Sequence, residues 1–129
     1  MFERMETMRM AVHSAVHAAG RQAVIAANVA NADTPGYRAA DLRSFAQTFR
    51  DGGGMVLRTT RPEHIPEADP NSARRLVPDR NAEPSPNGNT VSLETELVRS
   101  ASAKRQHDVS LAIYRNALDI LRSSLGRGR

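Results

Sequence analysis

One stretch decides how the first helix of this chain ends, and it reads Asn28-Val29-Ala30-Asn31-Ala32-Asp33-Thr34-Pro35-Gly36-Tyr37. Proline disfavours helical geometry in the residue before it, so Thr34 is pushed to an extended conformation. Pro35 and Gly36 suit the two central positions of a type II turn, the second of which needs a positive φ. The stretch therefore predicts a helix terminus followed by a tight turn. The two asparagines on the helical side can bond to carbonyl groups freed at the helix end.

A long helix is predicted before this turn. From about residue 4 to residue 31 the sequence has neither proline nor a turn cluster, and alanine is abundant. At 1.5 Å per residue such a helix is about 42 Å long, so we expect other helices to cover it. Apolar or small residues recur at steps of three and four, the period of one helix face; they are Met5, Met8, Val12, Ala15, Ala19, Ala26 and Val29.

A second long helix is predicted at the other end of the chain, from about residue 90. A turn at Asn87-Gly88-Asn89 precedes it, and Thr90 or Ser92 can cap it. Glycines at 126 and 128 end it. Large apolar residues repeat along it, mostly at alternating steps of three and four, which indicates a coiled-coil seam; they are Leu97, Leu111, Tyr114, Leu118, Leu121 and Leu125.

The middle of the chain has a different composition. Six of the seven prolines fall between Pro62 and Pro86, and Gly52-Gly53-Gly54 opens the segment. Proline removes backbone donors and fixes φ, so neither a helix nor a central strand can run through it. One short strand is predicted at Met55–Thr60, which follows the glycines and is rich in β-branched residues. We expect the remainder to be extended loop or disorder.

These patterns predict a mainly α fold with a coiled-coil-like pair of terminal helices. Residues 1–50 hold the N-terminal helix and its turn, residues 51–89 form a flexible Pro/Gly-rich middle with a short β element, and residues 90–129 hold the C-terminal helix. The two ends together make one discontinuous helical domain.

The residue types argue against an enzyme. The chain has no cysteine, which excludes disulfides, cysteine metal sites and thiol nucleophiles. His13 and His17 share a helix face, but the segment lacks the glutamate of the zinc motif, so we expect two histidines on a polar face rather than a metal site. Glu94 and Glu96 point to different faces and suit the first turn of a helix better than acid–base catalysis. We therefore expect no catalytic residues, no cofactor and no metal.

Charge and hydropathy leave the partner class open. The net charge is +4, and 17 of the 18 basic residues are arginine. Because they are spread along the chain and mixed with acids, a nucleic-acid-binding module is a weaker alternative. No charge-free run approaches the roughly 20 residues that span a bilayer. The N-terminus lacks the basic start and apolar run of a secretory signal, so we expect any export to use another route.

The turn stretch resembles the N-terminal signature of the bacterial flagellar rod and hook proteins, which reads Asn-hydrophobic-Ala-Asn-Ala-Asp/Asn-Thr-Pro-Gly-Tyr. The preceding residues 21–27 and the Gly88–Glu94 opening of the second helix fit the same family. The resemblance covers roughly residues 1–50 and 86–125. The chain departs from the family pattern at Arg105 and at Gln106-His107-Asp108, where its second helix is more polar.

The resemblance implies a structural subunit of the proximal rod in the flagellar basal body. Such a subunit would polymerise through its terminal helices, transmit torque from the membrane ring to the distal rod and hook, and be required for motility. Its expected partners are copies of itself, other rod subunits, membrane-ring and rod-adaptor proteins, and the type III export apparatus, with neither nucleic acid nor a small-molecule substrate.

The resemblance also implies a location and an assembly motif. The rod spans the periplasm, and its subunits are exported without a cleaved signal peptide. Another short rod subunit of the same family is the alternative identity. The implied assembly motif consists of Asn28, Asn31, Asp33, Thr34, Pro35, Gly36 and Tyr37.

Overall fold

A computed structural model describes residues 2–52 and 76–126 of the chain. In chain order its elements are helix α1 (Phe2–Ala30), strand β1 (Ala40–Leu42), helix α2 (Phe45–Gly52), strand β2 (Leu76–Pro78) and helix α3 (Leu93–Gly126). The two long helices pack against each other and run antiparallel. The mainly helical fold with a terminal helix pair is therefore confirmed.

The strands differ from the prediction. The segment Met55–Thr60 lies outside the described residues, whereas β1 and β2 form a two-stranded antiparallel sheet that pairs Ala40 with Pro78 and Leu42 with Leu76. The β2 segment was expected to lack regular structure because of its prolines. Pro78 is compatible with pairing because it is the last residue of an outer strand, where a missing N–H costs little.

The short helix α2 was also not predicted. Ser44 caps it, since the Ser44 carbonyl accepts from the Thr48 N–H at 3.0 Å. The Phe45 ring packs on the His17 ring with centroids 5.7 Å apart. The Nε2–H of His17 donates to the Arg43 carbonyl at 2.8 Å. These contacts hold the start of α2 against α1.

The contact between α1 and α3 is made mostly of small and polar residues, with Ile25 as the one large apolar side chain among the buried positions given below. Buried positions recur every seven residues on both helices, as a two-helix seam requires. On α1 they are Ala11, Ala18 and Ile25, and on α3 they are Glu96, Ala103 and Ser110. Because Ala18 and Ala103 are each 1% exposed, the two backbones approach closely at the middle of the pair.

The larger apolar residues predicted for this seam lie mostly one position further along each helix. We call the nine residues Met5, Met8, Val12, Leu97, Leu111, Tyr114, Leu118, Leu121 and Leu125 the outer stripe. Met5, Val12, Leu97 and Leu125 are 45–78% exposed, and the other five are half-buried. In the single chain the outer stripe thus does not fill the contact between α1 and α3, because that close approach admits alanine and serine but not leucine.

In the part of the chain that the structure describes, no helix combines the length and apolar character needed to cross a membrane.

Candidate functional site

The candidate site is the junction where α1 ends and α3 begins, formed by residues 28–42 and 85–92. Its first turn has the two marks of a type II turn. The Tyr37 N–H donates to the Thr34 carbonyl at 3.2 Å, and Gly36 has a φ of +73°. The prediction from Pro35 and Gly36 is therefore confirmed, since a positive φ at the second central position favours glycine.

Asn28 connects the last turn of α1 to β1. Its side chain is 1% exposed. Its Nδ2 donates to the Ala40 carbonyl at 2.7 Å, and its Oδ1 accepts from the Ala40 N–H and the Tyr37 hydroxyl, both at 3.3 Å. We expected Asn28 to bond to a helix-end carbonyl. It instead acts across the chain, because it lies on the buried side of α1, where the strand passes.

Asn31 behaves as predicted for a helix-terminal asparagine. Its Nδ2 donates to the Ala27 carbonyl at 2.8 Å, and its Oδ1 accepts from the Thr34 hydroxyl at 3.2 Å. The tip of the turn, residues 33–36, is exposed. Asp33 makes no side-chain hydrogen bond or ion pair with any residue that the structure describes, so its side chain plays no visible part in shaping the turn.

Asn89 holds the turn from the other side. It is 2% exposed, and its Nδ2 lies 2.7–2.9 Å from the carbonyl oxygens of Asn31, Ala32 and Thr34. Its Oδ1 accepts from the Val91 N–H at 2.7 Å. One amide thus satisfies carbonyl groups that the end of α1 leaves free, more than 50 residues away in the chain.

Two glycine turns face each other in the junction. The Gly36 N–H donates to the Asn87 carbonyl at 3.0 Å, and the Thr90 N–H donates to the Tyr37 carbonyl at 3.0 Å. Gly88 has a φ of +80°, and a Cβ built on it would lie 3.5 Å from the Gly36 Cα. The backbones of the two turns are therefore in direct contact.

The two predicted caps of α3 have different roles. Ser92 caps the helix, since its Oγ accepts from the Thr95 N–H at 3.4 Å and its carbonyl accepts from the Glu96 N–H at 3.0 Å. Thr90 instead accepts from the Ala39 N–H through its Oγ1 at 2.8 Å. Thr90 therefore belongs to the junction rather than to the helix.

An ionic cluster next to the junction joins both long helices to both strands. Arg21 on α1 donates two hydrogen bonds to Asp41 on β1, at 2.9 and 2.6 Å. Arg99 on α3 donates to Glu96 at 3.0 Å and to Asp79, which follows β2. Glu96 is 1% exposed, and its Oε2 is buried without a hydrogen-bond partner among the described residues. Arg21 and Arg99 thus form ion pairs within the chain.

The cluster shifts the pKa values of Asp41, Asp79 and Arg99. Burial by itself would raise the pKa of Asp41, but hydrogen bonds and charge from Arg21, with smaller contributions from Leu42 and Arg99, lower it overall. The hydrogen bond from Arg99 is the main reason why the pKa of Asp79 is lowered. Burial opposes the charge of Arg99, yet its acidic neighbours raise its pKa overall. Asp41 and Asp79 are thus stabilised as carboxylates.

His13 and His17 lie in different surroundings on α1. Within residues 2–52 and 76–126, no group of three or more His, Asp or Glu side chains could hold a metal ion. His13 is exposed, as expected, but His17 is buried against Phe45, which corrects the expectation that both lie on a polar face. Hydrogen bonds and ion pairs at the junction fix the direction in which the chain leaves α1.

Sequence reasoning missed several residues of the junction. Asn87 and Asn89 were assigned to a turn before α3, and Arg21 and Asn89 also belonged to stretches that fit the family pattern, but no contact was predicted for these residues or for Asp79 and Arg99. The repeated asparagines on both sides of Gly88 were the available signal, because short amides bond to nearby backbone and favour turns.

Comparison with known proteins places the junction in a family context. A family profile described as "Flagella basal body rod protein" matches residues 8–38, which contain most of α1 and the whole first turn. The flagellar basal body rod protein FlgB of Escherichia coli is 40% identical over 105 residues, covering 73% of this chain and 74% of that protein. FlgB of Salmonella typhimurium is 37% identical over 112 residues (78% of each chain). FlgB of Cereibacter sphaeroides is 30% identical over 105 residues (81% and 82%).

Proposed function

Because this chain belongs to the flagellar basal body rod protein family, we propose that it is a subunit of the proximal rod and polymerises through its terminal helices. Membership makes the chain a structural protein of the flagellar basal body rather than an enzyme. The proximal position rests on its similarity to proteins named FlgB. The alternative is another short rod subunit of the same family.

The observation that carries this proposal is the uncovered apolar surface of the helix pair. The α1–α3 contact uses alanine, serine and buried charge, and leaves the outer stripe in water over much of its area. Leu97 is 73% exposed and Leu125 is 78% exposed. Exposed apolar surface of this extent is typical of a protein–protein interaction site. In our proposal, helices of neighbouring subunits cover the outer stripe.

The junction suits a subunit that carries mechanical load. Asn89 bonds the segment before α3 to the end of α1, Asn28 ties α1 to β1, and the ionic cluster links both long helices to the strands. Because the Asn28 and Asn89 side chains are both buried, breaking their hydrogen bonds would leave polar groups unsatisfied, which is costly. We infer that the junction transmits torque between the helix pair and the rest of the subunit, and that cells need the protein for motility. The exposed tip at residues 33–36 is available to a neighbouring subunit, which fits its proposed role in assembly.

The remaining parts of the proposal rest on family membership. We infer that the subunit is exported through the type III apparatus without a cleaved signal peptide and takes its place in the periplasmic part of the basal body. Membrane-ring and rod-adaptor proteins would be its neighbours at the proximal end, and other rod subunits would follow it.

The first test asks whether the chain is a constituent of the basal body. Hook–basal bodies extracted in detergent from the source organism would be examined by quantitative mass spectrometry. We expect this chain in fixed proportion to other rod proteins. Finding it only in the cytosol of motile cells that are assembling flagella would contradict the proposal.

The second test addresses the outer stripe. We expect Leu97→Asp to prevent incorporation into basal bodies, because a charge at the centre of an apolar contact must be desolvated. The matched control is Asn116→Asp, an exposed position of the same helix outside the stripe. Both variants should keep their helical circular dichroism signal. Normal incorporation of the Leu97 variant would show that this residue is not an assembly contact.

A further inference from the structure

A polar cluster lies in the α1–α3 contact away from the junction, and we call Ser14, Gln106 and Ser110 the serine node. Gln106 Nε2 donates to Ser14 Oγ at 3.3 Å. Ser110 Oγ lies 2.8 Å from Ser14 Oγ and 2.8 Å from the Gln106 carbonyl oxygen. Ser110 is 3% exposed. Ser14 thus inserts between two residues one turn apart on α3, and both hydroxyl groups have partners.

Around the serine node, the contact between α1 and α3 is made of small side chains that form no directional bonds. Its small side chains, such as Ala11, Ala18 and Ala103, can face one another in more than one register. If the outer half of α1 moved from this position, Ser14 would separate from Ser110 and Gln106. Ser110 would keep its bond to the Gln106 carbonyl, but both hydrogen bonds across the helix contact would be lost.

The serine node is also well separated from the other fixed points of the pair. The junction and the ionic cluster hold the end of α1 near Arg21 and Asn28. Ser14 lies seven residues from Arg21, about 10 Å at 1.5 Å per residue, and fourteen residues from Asn28, about 21 Å. A further bond across the pair, from Gln22 Nε2 to Ser100 Oγ at 2.7 Å, lies beside Arg21. A continuous helix that is fixed at one end can still bend or splay away from its partner at the other end, whereas a second fixed point holds it in place.

We propose that the serine node holds the outer half of α1 in one position against α3 and prevents it from splaying. Single buried polar groups can specify the alignment of a coiled coil in this way, at the expense of some stability. The node would thereby determine which side chains of α1, Met8 and Val12 among them, are presented on the outer stripe. This role is one of alignment and is separate from the strength of the helix contact.

The test measures distances in the full chain. Because the sequence has no cysteine, pairs of introduced cysteines can carry spin labels without background. Arg9→Cys with Arg115→Cys reports on the outer half, and Ala23→Cys with Ala101→Cys reports on the part near the junction; all four positions are exposed. Each pair is measured by pulsed electron paramagnetic resonance in three backgrounds.

The backgrounds separate alignment from folding. They are the unaltered chain, Ser14→Ala with Ser110→Ala, and the control Ser102→Ala with Ser123→Ala, whose serines lie in the exposed part of α3. Alanine favours helix, so circular dichroism should show the same helix content in all three.

We expect one narrow distance distribution for both pairs in the unaltered chain and in the control. In the Ser14/Ser110 variant, the outer pair should gain a second distance or a clearly broader distribution, while the pair near the junction stays unchanged. A narrow, unshifted outer distance in that variant would overturn the proposal. So would a broad outer distance in the unaltered chain, or equal broadening of both pairs.

Discussion

Replacing Asn89 with alanine should cost about 3 kcal/mol of folding free energy. The Nδ2 group has two protons to share among the carbonyls of Asn31, Ala32 and Thr34, and Oδ1 accepts from Val91. The variant therefore loses three hydrogen bonds, each worth a net of about 1 kcal/mol. Typical domains are stable by about 5–15 kcal/mol, so this one side chain would supply a substantial part of the total.

Urea unfolding followed by far-UV circular dichroism measures the effect. With a slope of about 1–3 kcal/mol per molar urea, the midpoint should fall by roughly 1–3 M. The control is Asn116→Ala, an exposed position on α3, which should change stability by less than about 0.5 kcal/mol.

Asn89→Asp tests the hydrogen-bond argument more strictly. It keeps an oxygen acceptor and nearly the same shape but removes both donors, and it places a carboxylate against three carbonyl oxygens. We expect it to be more destabilising than Asn89→Ala at neutral pH. If the aspartate variant were as stable as the unaltered chain, donation to the end of α1 would not be the role of Asn89.

Three further predictions concern the turn, the ionic cluster and the helix cap. Gly36→Val should reduce the free energy of unfolding by at least about 1–2 kcal/mol because of the strain of a left-handed conformation; a clash is not the cause, since no atom lies within 4 Å of the added Cβ. The variant should also fail to enter basal bodies, and normal swimming would contradict the turn's role. The lowered pKa of Asp79 means that its contribution is present above the unfolded value near 3.8 and is lost as pH falls through the folded pKa. Stability measured against pH should thus decline below about pH 4, and less steeply in Asp79→Asn. Ser92→Ala should cost about 1 kcal/mol and raise hydrogen exchange in the first turn of α3, and unchanged exchange there would argue against the cap.

The sequence predicted best those features that depend on neighbouring residues. Proline and glycine act locally, so the end of α1, the turn at Pro35-Gly36 and the start of α3 were each predicted to within a few residues. The contacts of Asn28 and Asn89 could not be predicted in the same way. Their partners are 12 and more than 50 residues away, and only the packing of α1 against α3 brings these groups together.

The seam shows why hydrophobic periodicity was not enough. The pattern favours the largest apolar residues, such as Val12 and Leu97. The close approach of the two helices instead buries Ala18 and Ala103, which the predicted stripes did not include. Strand β2 was missed for a related reason, because its pairing partner β1 and its ionic contact through Asp79 both come from distant parts of the chain.

The anchoring of β2 has a consequence for how the chain can change in length. Its pairing with β1 and the Asp79–Arg99 contact fix where the chain returns to the helix pair, while α2 is held by Ser44, Phe45 and His17. The connection between Gly52 and Leu76 therefore joins two independently secured points. The entropic cost of closing a longer connection rises only with the logarithm of its length, by about 0.6 kcal/mol per doubling. A tag or a small folded domain inserted there should leave the junction intact, and this makes residues 53–75 the natural place for a reporter of subunit position.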